Sequence, residues 1–324
     1  MPPVRRRHVL LFGFGLVAGL ALARRVSVGD EELPPDLEAK LGRTKAGHEA
    51  LLTLSDETGF EALPPPRRGD WRLGPGEDEE PQSFRAYAAG SPVRATEERS
   101  RIVLAPLGDF DDEGRQVLET MRAYGETFFG CPVAIGEALE LPEAGRRRRT
   151  GGPAGDWDQW LSTEIMDRVL LPKLPDDAIV YLGITMGDLY PDPDWNFVFG
   201  QASLARRVGV YSLARYSPEF YGEERDETSS RKFLERACKV LTHETCHAFG
   251  LEHCLHYLCC MNGSNNLGET DRQPLWLCPV CLSKLAWNRG FDPAERYRKL
   301  AAFFEEVGFP DLATWHRDRA AGVR

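Results

Sequence analysis

The sequence predicts an α/β (α+β) fold, a compact domain in which a mixed, twisted sheet packs against helices. Short apolar runs with strand character alternate with helical segments from about residue 100 onward, which is typical of such a sheet. One helical segment is long and carries two closely spaced histidines. Apolar residues make up 42% of the 324-residue chain, which is enough to build a buried core.

The predicted elements follow one another between residues 101 and 249. Strands are expected at 101–107, 132–135, 178–184 and 208–214, and helices at 113–128, 157–171 and 229–249, from their apolar periodicity. The last helix is expected to be capped by Thr228 or Ser229. The arginine run 146–149 is flanked by glycines and is predicted as a surface loop. Asp188 and Asp192 are assigned to a turn, with a supporting role at the cleft as the alternative.

Composition divides the chain into four parts. In residues 1–25, three arginines precede the fifteen uncharged residues 9–23, which is the layout of a signal peptide or a short membrane anchor. Residues 26–95 are rich in proline, glycine and acidic residues and are predicted as a linker or an irregular wrap around a domain. Residues 96–310 are predicted as the functional domain, followed by a C-terminal tail at 311–324.

Charge and cysteine placement narrow the function. The formal net charge of −10 argues against a nucleic-acid partner, which requires a basic surface to neutralise phosphates. Seven of the eight cysteines lie between residues 238 and 281, and four of the seven histidines lie in the same window. Thiol and imidazole groups clustered in this way indicate metal binding rather than a disulfide framework.

The first predicted metal site lies on the long helix. His243 and His247 are four residues apart, so both imidazoles lie on one face and can bind one zinc, with Glu244 close to a water molecule there. Gly250 ends the helix and turns the chain, which lets His253 serve as a third ligand. Three neutral histidines leave an open coordination position, so Glu244 is predicted as the general base of a hydrolytic reaction. The alternative is a buried, hydrogen-bonded histidine pair.

The second predicted metal site is built from two cysteine pairs. Cys254 and Cys259 are separated by four residues, and Cys278 and Cys281 by two. Four thiolates fill a tetrahedral zinc shell and leave no open position, which predicts a structural metal. The alternative is two disulfides. By spacing alone, Cys260 could replace Cys259 as a ligand.

The joined pattern resembles the archaemetzincins, a family of zinc metallopeptidases, in their eukaryotic-type branch. The family motif HExxHxxGxxHC-x4-C-x-M, followed by CxxC, is matched by His243, Glu244, His247, Gly250, His253, Cys254, Cys259, Met261, Cys278 and Cys281. The resemblance implies one catalytic and one structural zinc and favours Cys259 over Cys260. It also implies a Met-turn that places Met261 under the catalytic zinc. The strand at 208–214 would be the edge strand to which a substrate peptide adds.

The predicted function is therefore that of a zinc-dependent metallopeptidase, an endopeptidase or an aminopeptidase, with two zinc ions per chain. Its partner would be a peptide or protein substrate, and we expect a monomer. Residues 9–23 could mediate membrane association, and they favour an exported or membrane-anchored protein, with a cytoplasmic protein as the alternative. The alternative is a non-catalytic double-zinc interaction module. Glu244 separates the two, because a binding module does not require a carboxylate between two ligands.

Overall fold

The computed structural model describes residues 59–322. The predicted signal or anchor at 1–25 and the segment 26–58 therefore lie outside the described residues. Within residues 59–322, none of the helices combines the length and the apolarity that crossing a membrane requires.

Within residues 59–322, eight strands form two sheets. In chain order they are β1 (Arg101–Leu107), β2 (Val133–Ile135), β3 (Arg146–Gly152), β4 (Gly155–Leu161), β5 (Ala178–Thr185), β6 (Asp188–Tyr190), β7 (Gly200–Ala202) and β8 (Val208–Ser212). The central sheet has the order β2-β1-β5-β8-β7, in which only β7 runs antiparallel to its neighbour. The four predicted strands are β1, β2, β5 and β8, and the predicted mixed α/β class is confirmed.

Within residues 59–322, seven α-helices of six residues or more pack around the sheets. They are α1 (Phe84–Ala89), α2 (Asp112–Phe129), α3 (Glu227–Ala248), α4 (Leu267–Arg272), α5 (Pro279–Arg289), α6 (Pro293–Glu306) and α7 (Pro310–Gly322). The predicted helix at 113–128 is α2, which ends at Gly130 with a φ of 60°. The segment predicted as a tail contains α7, which packs against α6 and buries Ala313 and His316.

The central sheet separates two hydrophobic clusters because side chains alternate between its faces. In β1, Ile102 and Leu104 belong to the larger cluster, which includes α2 and α3. Val103 and Ala105 belong to a smaller cluster on the other face. All eight residues of β5 are buried, as expected for a central strand covered on both sides. The sheet therefore provides a rigid platform for the helix that carries the histidines.

The second sheet, of order β3-β4-β6, contradicts the predicted loop at 146–149. These arginines begin β3 and are stabilised by partners on its neighbours. Arg146 bonds Asp158 at 2.8 Å, and the guanidinium of Arg147 lies 3.7 Å from the centre of the Tyr190 ring. Cation–π contacts and ion pairs thus replace the apolar alternation that normally indicates a strand.

The predicted helix at 157–171 is also wrong over its first third. Residues up to Leu161 belong to β4, which pairs with both β3 and β6. Helical structure begins only at Ser162 and continues as three short turns of different pitch to Lys173. The tryptophans and other large residues at this point suit a strand as well as a helix, so the periodicity was ambiguous.

Candidate active site

Helix α3 carries the first two histidines and is fixed at its start by a capping box. The Asp226 carboxylate accepts a hydrogen bond from the Ser229 backbone N–H at 2.7 Å, and the Ser229 hydroxyl accepts one from the Asp226 N–H at 2.8 Å. The predicted cap, Thr228 or Ser229, is therefore wrong, because the cap is Asp226. The helix begins at Glu227, two residues earlier than predicted. Both arrangements satisfy the free N–H groups of the first turn.

The end of α3 turns the chain back onto its own last turn. Gly250 has a φ of 87°, a left-handed conformation that favours glycine. Its N–H bonds the His247 carbonyl at 2.8 Å, and the N–H of Leu251 bonds the Cys246 carbonyl at 3.0 Å. This turn brings the Leu251 carbonyl to Nδ1 of His247, at 2.6 Å. The predicted role of Gly250 in ending the helix is thus seen directly.

The structure brings His243, His247 and His253 together, with one ring nitrogen from each lying within 4.8 Å of the others. Nδ1 of His243 bonds the Cys260 carbonyl at 2.9 Å, just as Nδ1 of His247 bonds a carbonyl. A carbonyl oxygen can only accept, so Nδ1 carries the proton on both rings and each Nε2 presents a lone pair. The two Nε2 atoms are 2.9 Å apart.

This arrangement fits a zinc ion. Two lone pairs at 2.9 Å repel each other unless a cation lies between them. Tetrahedral zinc with nitrogen ligands at 2.0–2.1 Å places those nitrogens roughly 3.3 Å apart, close to the separation seen. Burial, followed by the neighbouring His253, lowers the pKa of His243 to about 3, so the ring is neutral and able to act as a ligand. Burial likewise lowers the pKa of His247.

Glu244 lies between the two helix histidines and faces strand β7. It is 5% exposed, and burial raises the pKa of its carboxyl group to about 8 in the metal-free chain. Its Oε1 lies 2.5 Å from the position that a Cβ would occupy on Gly200. A side chain at residue 200 would therefore displace the carboxylate. Gly200 was not predicted from the sequence, since a glycine at the start of a three-residue strand carries no distinctive pattern.

The prediction that the strand at 208–214 lies at the edge of the sheet is wrong. Strand β8, predicted at 208–214, pairs with β5 on one side and with β7 on the other. Among the described residues, β7 forms the border of the sheet, and Gly200 pairs with Tyr211 of β8. The strand beside Glu244 is thus Gly200–Ala202, which is too short and too polar for apolar alternation to reveal it.

The structure also brings Cys254, Cys259, Cys278 and Cys281 together in a buried group. All eight cysteines lie within residues 59–322 and none forms a disulfide, which contradicts the disulfide alternative. The Sγ atoms of Cys254 and Cys278 are 3.6 Å apart. This is close to the separation of roughly 3.8 Å between two sulfur ligands of a tetrahedral zinc site. Cys260 instead directs its sulfur towards the Lys239 carbonyl.

Backbone N–H groups stabilise negative charge on these sulfurs. The N–H of Cys278 donates to the Cys259 sulfur at 3.2 Å, and the N–H of Cys281 donates to the Cys278 sulfur at 3.5 Å. Cys278 is also the cap of α5, where the helix dipole favours an anion. Hydrogen bonds from the other three thiols lower the pKa of Cys254. The group therefore has the chemistry of a closed thiolate site.

Asn262 holds the loop between the two groups and was missed by the sequence analysis. Its amide oxygen accepts from the Cys259 N–H at 2.8 Å, while its Nδ2 donates to the carbonyls of Cys254 and Tyr257. The neighbouring Met261 is fully buried, and its carbonyl accepts from the Cys254 N–H at 2.7 Å. The role of Met261 beneath the metal stays a prediction.

Asp188 does not lie in a turn but in β6, where it is buried. Arg215 donates two hydrogen bonds to its carboxylate, at 2.8 and 2.7 Å. Trp157 and Gln159 donate two more. This ion pair connects the second sheet to the segment after β8 and does not belong to the metal sites. Asp192 does cap a turn, by accepting from the Asp194 N–H.

An α/β domain with an HExxH helix, a third histidine and a separate four-cysteine group defines the class of zinc peptidases. The family model described as "Peptidase family M54" matches residues 170–287. The chain is 35% identical to archaemetzincin-2 of Macaca fascicularis, over 87% of this chain and 84% of that protein. It is 32% identical to archaemetzincin-1 of Homo sapiens, over 83% of this chain and 56% of that protein.

A solved structure is also similar, that of archaemetzincin from Methanopyrus kandleri. It is 28% identical and covers 61% of this chain and 99% of its own, with a TM-score of 0.48. On the extent of its identity to archaemetzincin-2, this chain belongs to the archaemetzincin family of zinc metallopeptidases, and the predicted family and enzyme class are confirmed.

Proposed function

We propose that the chain hydrolyses peptide bonds at the three-histidine site, with Glu244 as the general base and with a second, structural zinc in the four-cysteine site. One observation supports this most: the His243 and His247 rings turn their metal-binding nitrogens towards each other, and Glu244 lies between them on the same helix. That combination of donors suits zinc, and three ligands leave one position open.

The metal and the residues of the chain would have separate roles in the hydrolysis. His243, His247 and His253 would hold the zinc ion, which would act as a Lewis acid that acidifies water and polarises a peptide carbonyl. The Glu244 carboxylate accepts the proton of the attacking water and delivers it to the amine that leaves. Burial shields this carboxylate from bulk water, which keeps the transferred proton available for the second step.

Strand β7 supplies a surface for an extended peptide. One edge of β7 is paired with β8, and among residues 59–322 no strand pairs with the other edge. A substrate adding there by β-augmentation would lie along Gly200, directly beside Glu244. The absence of a side chain at Gly200 supports this placement, because it leaves room for both the carboxylate and a peptide.

A non-catalytic double-zinc interaction module remains the competing function. It accounts for the four-cysteine site equally well, because that site is closed. It does not account for the buried carboxylate of Glu244, for which Gly200 on the neighbouring strand leaves room. Oε1 of Glu244 lies 2.5 Å from the position that a Cβ on Gly200 would occupy. Export or anchoring through residues 9–23 and a monomeric state also stay predictions.

Metal counting together with peptide hydrolysis tests the proposal. We expect about two zinc ions in the wild type and about one in His247→Ala, because each site has its own ligands. Glu244→Gln should retain both ions and lose hydrolysis of an unstructured protein substrate. The matched control is Glu252→Gln, an equal charge change at an exposed residue after the helix. Full hydrolysis by Glu244→Gln would contradict the proposed mechanism.

A further inference from the structure

The third histidine is held differently from the other two. His243 and His247 lie on α3 and direct Nδ1 to backbone carbonyls close by in the chain. His253 lies beyond the helix, in a loop, and its Nδ1 bonds a side chain instead. The partner is Oε1 of Glu79, at 2.7 Å, a residue 174 positions earlier in the chain.

Glu79 belongs to a segment, residues 70–89, that we call the N-terminal strap. The strap is anchored beside the metal sites at its start and its end. At its start, the Asp70 carboxylate accepts from Arg272 at 2.7 Å, and the N–H of Trp71 donates to the Glu269 carboxylate at 3.0 Å. At its end, the Tyr87 hydroxyl donates to the Phe249 carbonyl at 3.0 Å, at the end of the zinc-binding helix.

The middle of the strap crosses from one metal site to the other. The Gln82 side chain donates to the Gly250 carbonyl at 3.1 Å and accepts from the Glu252 N–H at 3.3 Å. The carbonyl of Gln82 also accepts a hydrogen bond at 2.6 Å from Lys284, a buried lysine on α5, the helix that carries Cys281. Glu79 is thus held in place from both directions, which restricts where its carboxylate can lie.

Trp71 covers the same imidazole from another side. Its indole meets the His253 ring edge to face, with the ring centres 5.1 Å apart. The glycines at 76 and 263 make room for the indole, because a Cβ on either would overlap it. His253 is therefore enclosed by the strap and only 11% of its side chain is exposed.

The environment of the second carboxylate oxygen of Glu79 indicates what the contact with His253 does. Oε2 is buried and has no hydrogen-bond partner among residues 59–322. A buried carboxylate that lacks part of its hydrogen bonding is unfavourable beside a neutral imidazole. Beside an imidazole that is bound to a divalent cation, the same negative charge is favourable and increases the basicity of the ligand.

We propose that Glu79 is a positioning residue of the three-histidine site. Its carboxylate accepts the Nδ1 proton of His253, which fixes the ring tautomer and directs Nε2 to the metal. The N-terminal strap is thereby part of the catalytic centre, although it lies outside the residues 170–287 that the family model matches. The inference rests on the proposed function only in taking the three histidines as ligands.

Zinc retention tests this without relying on turnover. Zinc-loaded wild type, Glu79→Ala, Glu79→Gln and the control Glu80→Gln are titrated with a chelator, and the zinc left on the protein is counted. Glu80 is exposed and one residue away, so it matches the charge change. We expect Glu79→Ala to weaken one zinc about 10–100-fold, as losing such a partner does, and to leave the four-cysteine zinc unchanged.

Two further measurements separate positioning from folding. Glu79→Gln keeps an oxygen acceptor for His253, so its loss of affinity should be smaller than that of Glu79→Ala. Cobalt substituted at the histidine site should show a changed visible spectrum in Glu79→Ala but not in Glu80→Gln, because ligand orientation differs. If Glu79→Ala does not fold, the comparison of Glu79→Gln with Glu80→Gln decides. Zinc retention equal to that of Glu80→Gln would overturn the proposal.

The outcome is independent of the hydrolytic mechanism. If Glu244→Gln remained fully active, the proposed function would fail, but a loss of zinc affinity in the Glu79 variants would still establish the positioning role. If the Glu79 variants retained zinc normally while Glu244→Gln was inactive, only the positioning role would fail.

Discussion

The two candidate metal sites are adjacent in the chain but differ in how far their supports reach. The four cysteines lie between Cys254 and Cys281, and the groups that bond their sulfurs come from the same stretch. The three-histidine site depends on Glu79 from the N-terminal strap and on Gly200 from the sheet edge. A closed four-cysteine site can therefore be formed by one stretch of the chain. The three-histidine site, which has an open coordination position, also needs residues from distant parts of the fold around it.

Removing one cysteine ligand should have the largest effect. Cys259→Ser leaves three thiolates, so we expect the four-cysteine zinc to be lost and the domain to unfold well below the wild-type temperature. Structural zinc contributes about 10–16 kcal/mol to small zinc domains, far more than typical stabilities. Zinc content and thermal unfolding measure the result.

Cys260→Ser is the matched control for this variant, because Cys260 is equally buried but lies outside the group. Its effect on zinc content should be nil and its effect on unfolding small. The ligand assignment would be wrong if Cys260→Ser lost zinc and Cys259→Ser kept it.

A substitution at the sheet edge should affect only the histidine site. In Gly200→Ala the new methyl group would lie within 2.5 Å of Oε1 and 2.6 Å of Cδ of Glu244, so the carboxylate must move. We expect hydrolysis to fall about a hundredfold, as displacing a catalytic group by about 1 Å can do, while both zinc ions are retained. Peptide hydrolysis and metal counting together measure this.

Gly322→Ala is a suitable control for that experiment, because a Cβ there has no heavy atom within 4 Å. Unchanged hydrolysis by Gly200→Ala would place the productive position of Glu244 away from β7. It would also remove the argument that a substrate pairs with this strand.

The comparison of the sites also explains what the sequence could predict. The spacing of His243, His247 and His253 is set by helix geometry and one glycine turn, so local rules were sufficient. Glu79 is one of many acidic residues in a segment of irregular structure, and only tertiary packing selects it. The strand at β3 was missed because its stabilising contacts, such as that of Arg147 with Tyr190, are between side chains distant in sequence.

The smallest predicted effect concerns His316, which shows what burial does to an imidazole outside the metal sites. It is fully buried in α7, and burial lowers its pKa to about 3 from an ordinary value near 6.5.

The unfolded chain therefore binds the proton first, so the contribution of His316 to stability is complete above pH 6.5 and is lost as the pH falls below it. Between pH 7 and pH 5 this residue should cost about 2 kcal/mol. Unfolding by urea should show that difference between wild type and His316→Phe. A parallel pH dependence in wild type and His316→Phe would mean that His316 titrates normally, and that burial alone does not keep an imidazole neutral in this fold.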